Sequence, residues 1–279
     1  PAAMHVHFLD PYRPRASAIH ALDPRVKLAL ALAYILAVAL TPIGAWPIYV
    51  LLAAIGLSVI LLAELGVGLV WKRSALALPF VLAALPVLAT VKGAPLWQLS
   101  VAGWTLQITD AGATRFISIL LKSWLSVQMA IVLTTSTPFP HLLLAMRAMR
   151  IPRLLVAIFG LMWRYLFVLV DEALRLLRAR AARSSTPVVG AGSRQQSAGF
   201  TAPRGGTVIW RARVAGGMAG NLLVRSLDRG ERIYAAMAAR GYDGEVRAFP
   251  LPPISPGQRL TLTGGLALLA LLVGLGYLV

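Results

Sequence analysis

The chain has 279 residues, 58% of them hydrophobic, and its mean hydropathy is +0.74. Too little polar surface remains to cover a water-soluble globule, so the composition excludes that class and points to a membrane protein. No cysteine is present, which removes disulfides and thiolate metal sites. The formal charge of +17 reads as the Lys and Arg excess of cytoplasmic loops rather than as a nucleic-acid surface.

Residues 1–25 are polar and Pro-rich, which reads as an irregular segment on the membrane surface and not as a cleavable signal peptide. In Met4-His5-Val6-His7 the two histidines lack further ligands, so no metal site is assigned. Asp23 can cap a helix that opens on Pro24. That helix gives a first span at about 26–41, lengthened by a snorkelling Lys27. After a turn at Thr41-Pro42-Ile43-Gly44, a second span at about 45–64 ends near Glu64. Trp71-Lys72-Arg73 reads as an interface anchor followed by positive charge. A third span at about 75–91 contains Pro79 and Pro86 and is expected as one kinked helix. Lys92-Gly93-Ala94-Pro95 is a turn. The alternating WQLSVAGWTLQIT that follows predicts a short hairpin or an interfacial segment, with Trp97 and Trp104 at headgroup level. A fourth span at about 113–135 carries Arg115 and Lys122 in its first half. Charge at that depth is a functional-site hypothesis; the structural reading is that Arg115 snorkels and Lys122 faces a helix partner.

From Thr137 to Arg259 no clean span appears, and this stretch holds 18 of the 27 basic residues, all arginine. It opens with Thr137-Pro138-Phe139-Pro140 and an amphipathic piece, HLLLAMRAMRIPRLL. VAIFGLMWRYLFVLV, 156–170, is apolar except for Arg164 and is expected as a helix along the membrane face. It runs into DEALRLLRARAARSS, 171–185. Residues 186–206 are Gly-, Ser- and Pro-rich and read as a mobile loop. A second helix starts near Val208 and runs to about Arg240. Its final part, RSLDRGERIYAAMAARGYDG at 225–244, is polar. Spacings of three and four place Arg225, Arg229 and Arg232 on one face, continued by Ala236 and Arg240. Leu223, Leu227, Tyr234, Ala238 and Gly241 trace another face, and Gly241 is a C-terminal cap. A Pro-rich loop at 242–258 leads to a fifth span at about 259–279. Counting basic residues puts the N-terminus in the cytoplasm and the C-terminus outside.

Catalytic parts are missing. None of the four lysines follows a glycine, so there is no P-loop; His-Glu-x-x-His and Gly-x-Ser-x-Gly are absent too. The spans contain one carboxylate at most, Glu64 near a predicted edge, too little for paired-carboxylate chemistry or a proton relay. What stands out is a repeated helix ending, Ala181-Ala182-Arg183-Ser184 and Ala238-Ala239-Arg240-Gly241. An arginine there can put its planar fork on carboxylates or carbonyls of a partner, and small neighbours allow close approach. The plainer reading is ordinary helix capping.

These endings resemble the paired Ala-Arg-Gly signatures of the transmembrane T component of energy-coupling-factor transporters. Ser184 in place of the first glycine is a departure. LDPRVKL, 22–28, is similar to the family's N-terminal start, through Asp23, Pro24 and Arg25. The length and pattern look most similar to the CbiQ-type cobalt branch, with nickel- and vitamin-type relatives next. The resemblance implies an all-α integral membrane protein of about five transmembrane helices, with spans 1–4 in 26–136 and the last in 259–279. A cytoplasmic coupling domain would occupy 137–258, with coupling helices at about 171–185 and 208–241. It also implies a non-enzymatic scaffold in a bacterial inner membrane, without cofactor and without nucleic acid. Its partners would be two cytoplasmic ABC-type ATPase subunits and a membrane S component that binds the substrate, a divalent cation of the cobalt type in this branch. Ala182, Arg183, Ser184, Ala239, Arg240 and Gly241 would dock on the ATPases. Glu172, Arg175, Arg225, Arg229, Glu231 and Arg232 would support them. Rival classes are a membrane enzyme acting on a lipid or prenyl substrate, and a stand-alone permease.

Overall fold

Asp23 and Pro24 start the first long helix as their residue types predict. In the computed structural model, which describes residues 11–75, 78–91, 94–101, 104–184, 207–244 and 252–278, the Asp23 carboxylate accepts the Arg25 N–H at 2.8 Å and Pro24 opens the helix. His5, His7, the Lys92-Gly93 turn and the loop at 186–206 lie outside the described residues. The chain forms two compact units, one of Pro1–Ile151 with Phe249–Val279 and the other of Pro152–Ala248.

In the first unit a short α1 (Ala18–Ala21) precedes α2 (Pro24–Leu40), and α3 (Trp46–Leu62) follows the turn at Gly44. Each long helix has 17 residues, about 26 Å, close to the roughly 30 Å of a bilayer's hydrocarbon core. The expected third span is not one kinked helix. It is broken into α5 (Leu78–Ala84) and α6 (Val87–Thr90), and a further short helix, α4 (Val67–Ser74), precedes it. Pro86 has no N–H to continue the ladder and disfavours helical backbone at Leu85, so the chain turns there. These pieces follow α7 (Asp110–Ser136) along its length. Val70 of α4 packs with Val132. The Trp71 ring meets Trp124 edge-on with centroids 5.8 Å apart. The Leu88 carbonyl of α6 lies beside Gly112. From Val132 to Gly112 α7 rises about 30 Å, so the broken segment covers a full hydrocarbon thickness.

Between α6 and α7 the alternating stretch forms the antiparallel hairpin of β1 (Pro95–Val101) and β2 (Trp104–Thr109), with Val101 opposite Trp104. The side chains of Trp97 and Trp104 lie outside the described set. Thr109 then joins hairpin to helix: its hydroxyl donates to the Val91 carbonyl at 2.7 Å and accepts the Gly112 N–H at 3.1 Å. After α7 come α8 (Phe139–Ala148), the second unit, and finally α11 (Pro256–Gly276), which packs along α2. Gly265 sits against Leu30, Gly276 against Pro42, and the Tyr277 hydroxyl donates to the Leu40 carbonyl at 3.1 Å.

The core joins Tyr34 and Val38 of α2, Ile48 and Leu52 of α3, Leu125 and Met129 of α7, and Leu269 and Leu272 of α11. The buried Tyr34 hydroxyl donates to the Leu52 carbonyl at 2.8 Å. Two lysines lock α2 and α7 reciprocally. Lys27, near the start of α2, donates to the Ser136 carbonyl at the end of α7 (3.2 Å) and to the His20 carbonyl of α1 (3.4 Å). Lys122 of α7 donates to the Ala39 carbonyl in the last turn of α2 at 3.0 Å. Lys122 therefore does face a helix partner, and Arg115 is exposed. The outward faces are apolar, with Leu36, Val50 and Leu61 all exposed, as lipid contact requires.

The second unit contains α9 (Arg153–Ser184) and α10 (Val208–Ala239). The apolar stretch at 156–170 and the helix expected from residue 171 onward are one continuous element, which is described as far as Ser184. Among the described residues, three helices are long and apolar enough to cross a membrane, Asp110–Ser136, Arg153–Ala182 and Pro256–Gly276; Trp46–Leu62 is apolar but shorter. The fold is thus an all-α, multi-pass membrane architecture carrying one small hairpin.

Two predictions follow from this packing. Lys27→Met lowers unfolding free energy by about 1.5–3 kcal/mol, and Lys122→Met by less because its amine stays exposed; thermal melts in detergent rank the two variants, and equal shifts refute the assignment. A Cβ at Gly112 meets the Leu88 oxygen at 2.7 Å and Thr109 Oγ1 at 2.8 Å, whereas one at Gly274 meets open space. Gly112→Ala therefore destabilises by about 1–3 kcal/mol, while Gly274→Ala is neutral or stabilising by up to about 1 kcal/mol, in the same melts.

Candidate functional site

The second helix ending is built by its glycine. Gly241 has φ +78°, a conformation that costs a side chain but not glycine. Its N–H bonds the Ala238 carbonyl at 3.0 Å, and the Tyr242 N–H reaches back to Met237 at 3.0 Å. This is the Schellman termination, in which two orphan carbonyls of the last turn are satisfied by the chain that leaves it. Arg240 is the C-cap residue. It is exposed, and no hydrogen bond or ion pair to another described residue holds its guanidinium. Ala238 and Ala239 beside it are exposed as well, so the ending presents a free arginine on a small-residue platform.

The first ending lies at the close of α9, where Ala182 is exposed and Ser184 is the last helical residue. The side chains of Arg183 and Ser184, and the residues that follow, lie outside the described set. The helix fixes where this ending stands relative to the rest of α9.

An ion pair ties α9 to α10. Arg225 Nη1 lies 3.0 Å from Glu172 Oε1, and Arg175 approaches the other carboxylate oxygen at 3.9 Å from one turn along. Further along α9, the Arg180 guanidinium stands 5.8 Å from the Trp210 ring. In the other direction, Leu161, Tyr165 and Leu169 share a groove with Ile233, Met237 and Tyr242. Contacts that advance along one helix retreat along the other, so the pair is antiparallel. The two Ala-Arg endings therefore point away from each other. Arg183 stands about 16 Å along α9 beyond the ion pair, and Arg240 about 22 Å along α10 on the other side.

Of the six supporting charges, Glu172, Arg175 and Arg225 come together. Arg229 is half-buried and lines the groove, while Glu231 and Arg232 are exposed without a described partner. The N-terminal residues lie elsewhere. Asp23 and Pro24 shape the start of α2, and the Arg25 Nε is buried 3.9 Å from Asp23. Their geometry serves that helix start. Among the described residues no group of three His, Asp or Glu side chains is placed to hold a metal ion. Sequence reasoning missed the groove of about 400 Å³, although Leu161, Tyr165, Val168 and Leu169 fall at spacings of three and four. Tyr242 was read only as loop; the Schellman turn folds it back over Met237.

The family of cobalt transport proteins called CbiQ matches residues 15–250. The chain is 26% identical to the cobalt transport protein CbiQ of Rhodobacter capsulatus, over 61% of this chain and 62% of that one. It is 34% identical to CbiQ of Salmonella typhimurium over 30% of this chain and 38% of that one. Less than two thirds of each of these two relatives is therefore covered. With the energy-coupling factor transporter transmembrane protein EcfT of Lacticaseibacillus paracasei the identity is 27%, over 94% of this chain and 97% of that one. The family match runs through both Ala-Arg endings and every described helix except α11, and on that extent the chain belongs to the CbiQ cobalt transport protein family.

Proposed function

We propose that this chain is the transmembrane T component of an energy-coupling-factor importer for a divalent cation, cobalt in the first reading. It carries no catalysis. Two cytoplasmic ATP-binding-cassette subunits hydrolyse ATP, and a separate membrane S component binds the ion. α9 and α10 are the coupling helices, with Arg183 and Arg240 each docking on one ATPase. The N-terminus is cytoplasmic and the C-terminus external, which puts the 18 arginines of 137–259 on the ATPase side.

One observation carries this reading: the two Ala-Arg endings lie on opposite sides of the Glu172–Arg225 contact. A pair of arginines at one spot would suit a single partner. Endings directed apart suit two copies of a partner, each receiving one. A second reading, an energy-coupling factor subunit whose cargo is not cobalt, draws on the near full-length alignment with EcfT. Uptake of radioactive cobalt and nickel by cells expressing the complex separates the two.

Two variants test the grip. Arg183→Glu combined with Arg240→Glu is expected to abolish co-purification of the ATPase pair while the chain still inserts in the membrane. Normal recovery of ATPase would sink the docking assignment, and a chain that never binds ATPase points instead to a stand-alone permease. Gly241→Val places a β-branched residue at φ +78° and disrupts the turn that presents Arg240. ATPase recovery should fall while membrane insertion is unchanged; full recovery would mean the Arg240 presentation is unimportant.

A further inference from the structure

The first unit contains a cavity of about 210 Å³ between α1, α2, α3, α7 and α11. Its walls are Leu30, Ile55, Val59, Met129, Leu133 and Leu268, almost entirely hydrocarbon. Apolar cavities of roughly 150 Å³ stay dry and accept benzene-sized guests, so this one is large enough for several carbons of a chain. It is too small for a partner helix, which is about 10 Å across.

One end of the cavity is polar. Lys27 and Ser136 line it there, at the level where α2 begins and α7 ends. Tyr34 lies about 10 Å further along α2, towards the middle of the bundle. The cavity thus has a cationic end at the helix termini and an apolar interior, the polarity of an amphiphile lying in one leaflet. Lys27 is 8% exposed. Its ammonium has three donors, of which two reach the carbonyls of His20 and Ser136. No described carboxylate lies within ion-pair distance of it, and Asp23 is engaged at the cap of α2. A cation this buried is expected to have an anionic partner or its equivalent. The two helix ends supply part of that, and the third donor remains.

We propose that the cavity is a binding site for a single-chain anionic amphiphile or one acyl chain of an anionic lipid. The carboxylate or phosphate head accepts the third Lys27 hydrogen bond, and the tail fills the space bounded by Ile55, Val59, Met129 and Leu133. The site is independent of the ATPase grip, so either can fail alone.

The full-length chain in a neutral detergent is mixed with dodecanoate, dodecyl phosphate or dodecanol, and adducts are counted by native mass spectrometry. One adduct of either anion is expected, favoured over dodecanol by about tenfold. Masses of species carried through purification tell a free fatty acid from a phospholipid. Ala31→Phe fills the cavity and should lose all three probes; Leu133→Phe, from the α7 wall, gives the same loss if that variant does not fold. Lys27→Met should bind dodecanol as before and lose the anion preference. Leu57→Phe, exposed on α3 and outside the cavity, should match the unmodified chain. Equal binding of anions and dodecanol by the unmodified chain overturns the proposal without recourse to any variant, as does an anion preference that survives Lys27→Met.

Discussion

A lysine on each of two antiparallel helices closes the end of the other, and the first unit is assembled around that exchange. The last-turn carbonyls of a helix have no internal partner, and they carry the negative end of its dipole. In lipid no water is available to satisfy them. Lys27 serves the end of α7, and with it the end of α1; Lys122 serves the end of α2. The Tyr277 hydroxyl adds a bond to Leu40 from α11. Both ends of α2 are thus tied to its neighbours by groups that must be in register, which fixes its depth relative to α7. The apolar packing of Val38, Leu52, Leu125 and Leu269 then fills the space between but could slide by a turn without those ties.

Much of this was legible in the chain because it is local. Asp23-Pro24 announces a helix start, alternation at 95–109 announces a hairpin, and Ala-Arg-Gly announces a helix stop. Each signal depends on a few neighbouring residues. The third crossing was misread because mean hydropathy says that a stretch is apolar, not that its backbone is continuous. Pro79 was accommodated near the start of α5, where the missing N–H matters least; Pro86 fell where a ladder bond was needed. The partners of Lys27 and Lys122 were out of reach for another reason. Residue 27 meets residue 136, and only the fold brings them together.

The second unit follows a different rule. Its helices touch through an ion pair whose arginine is 54% exposed at the side chain, and such a pair adds little, about 0–1 kcal/mol. A cation–π contact adds a similar amount, and the groove between the helices is unfilled. Leu223, Leu227 and Tyr234, which share a second face of α10, are exposed, so that face is not a core face in the isolated chain. The Ala-Arg endings were visible because a Schellman turn is written in five residues. The pairing of Glu172 with Arg225, and hence the opposite placement of the two endings, depends on an antiparallel packing that neither helix encodes alone.

That placement has a mechanical consequence for the proposed coupling role. A continuous helix is stiff over its own length, so each can turn about the ion pair as a lever. On α9 the arm from Glu172 to Arg183 is about 16 Å, and the arm from Glu172 back to Leu154 is about 27 Å. A small tilt imposed at Arg183 is therefore magnified roughly 1.7-fold at the groove end by the same rise per residue. On α10 the arms from Arg225 to Arg240 and back to Val208 are about 22 Å and about 26 Å, nearly balanced. The two endings share a signature and yet would transmit unequal displacements from identical ATPase motions. A weak, exposed ion pair suits such a pivot: it sets where the helices cross without resisting a change in how they cross.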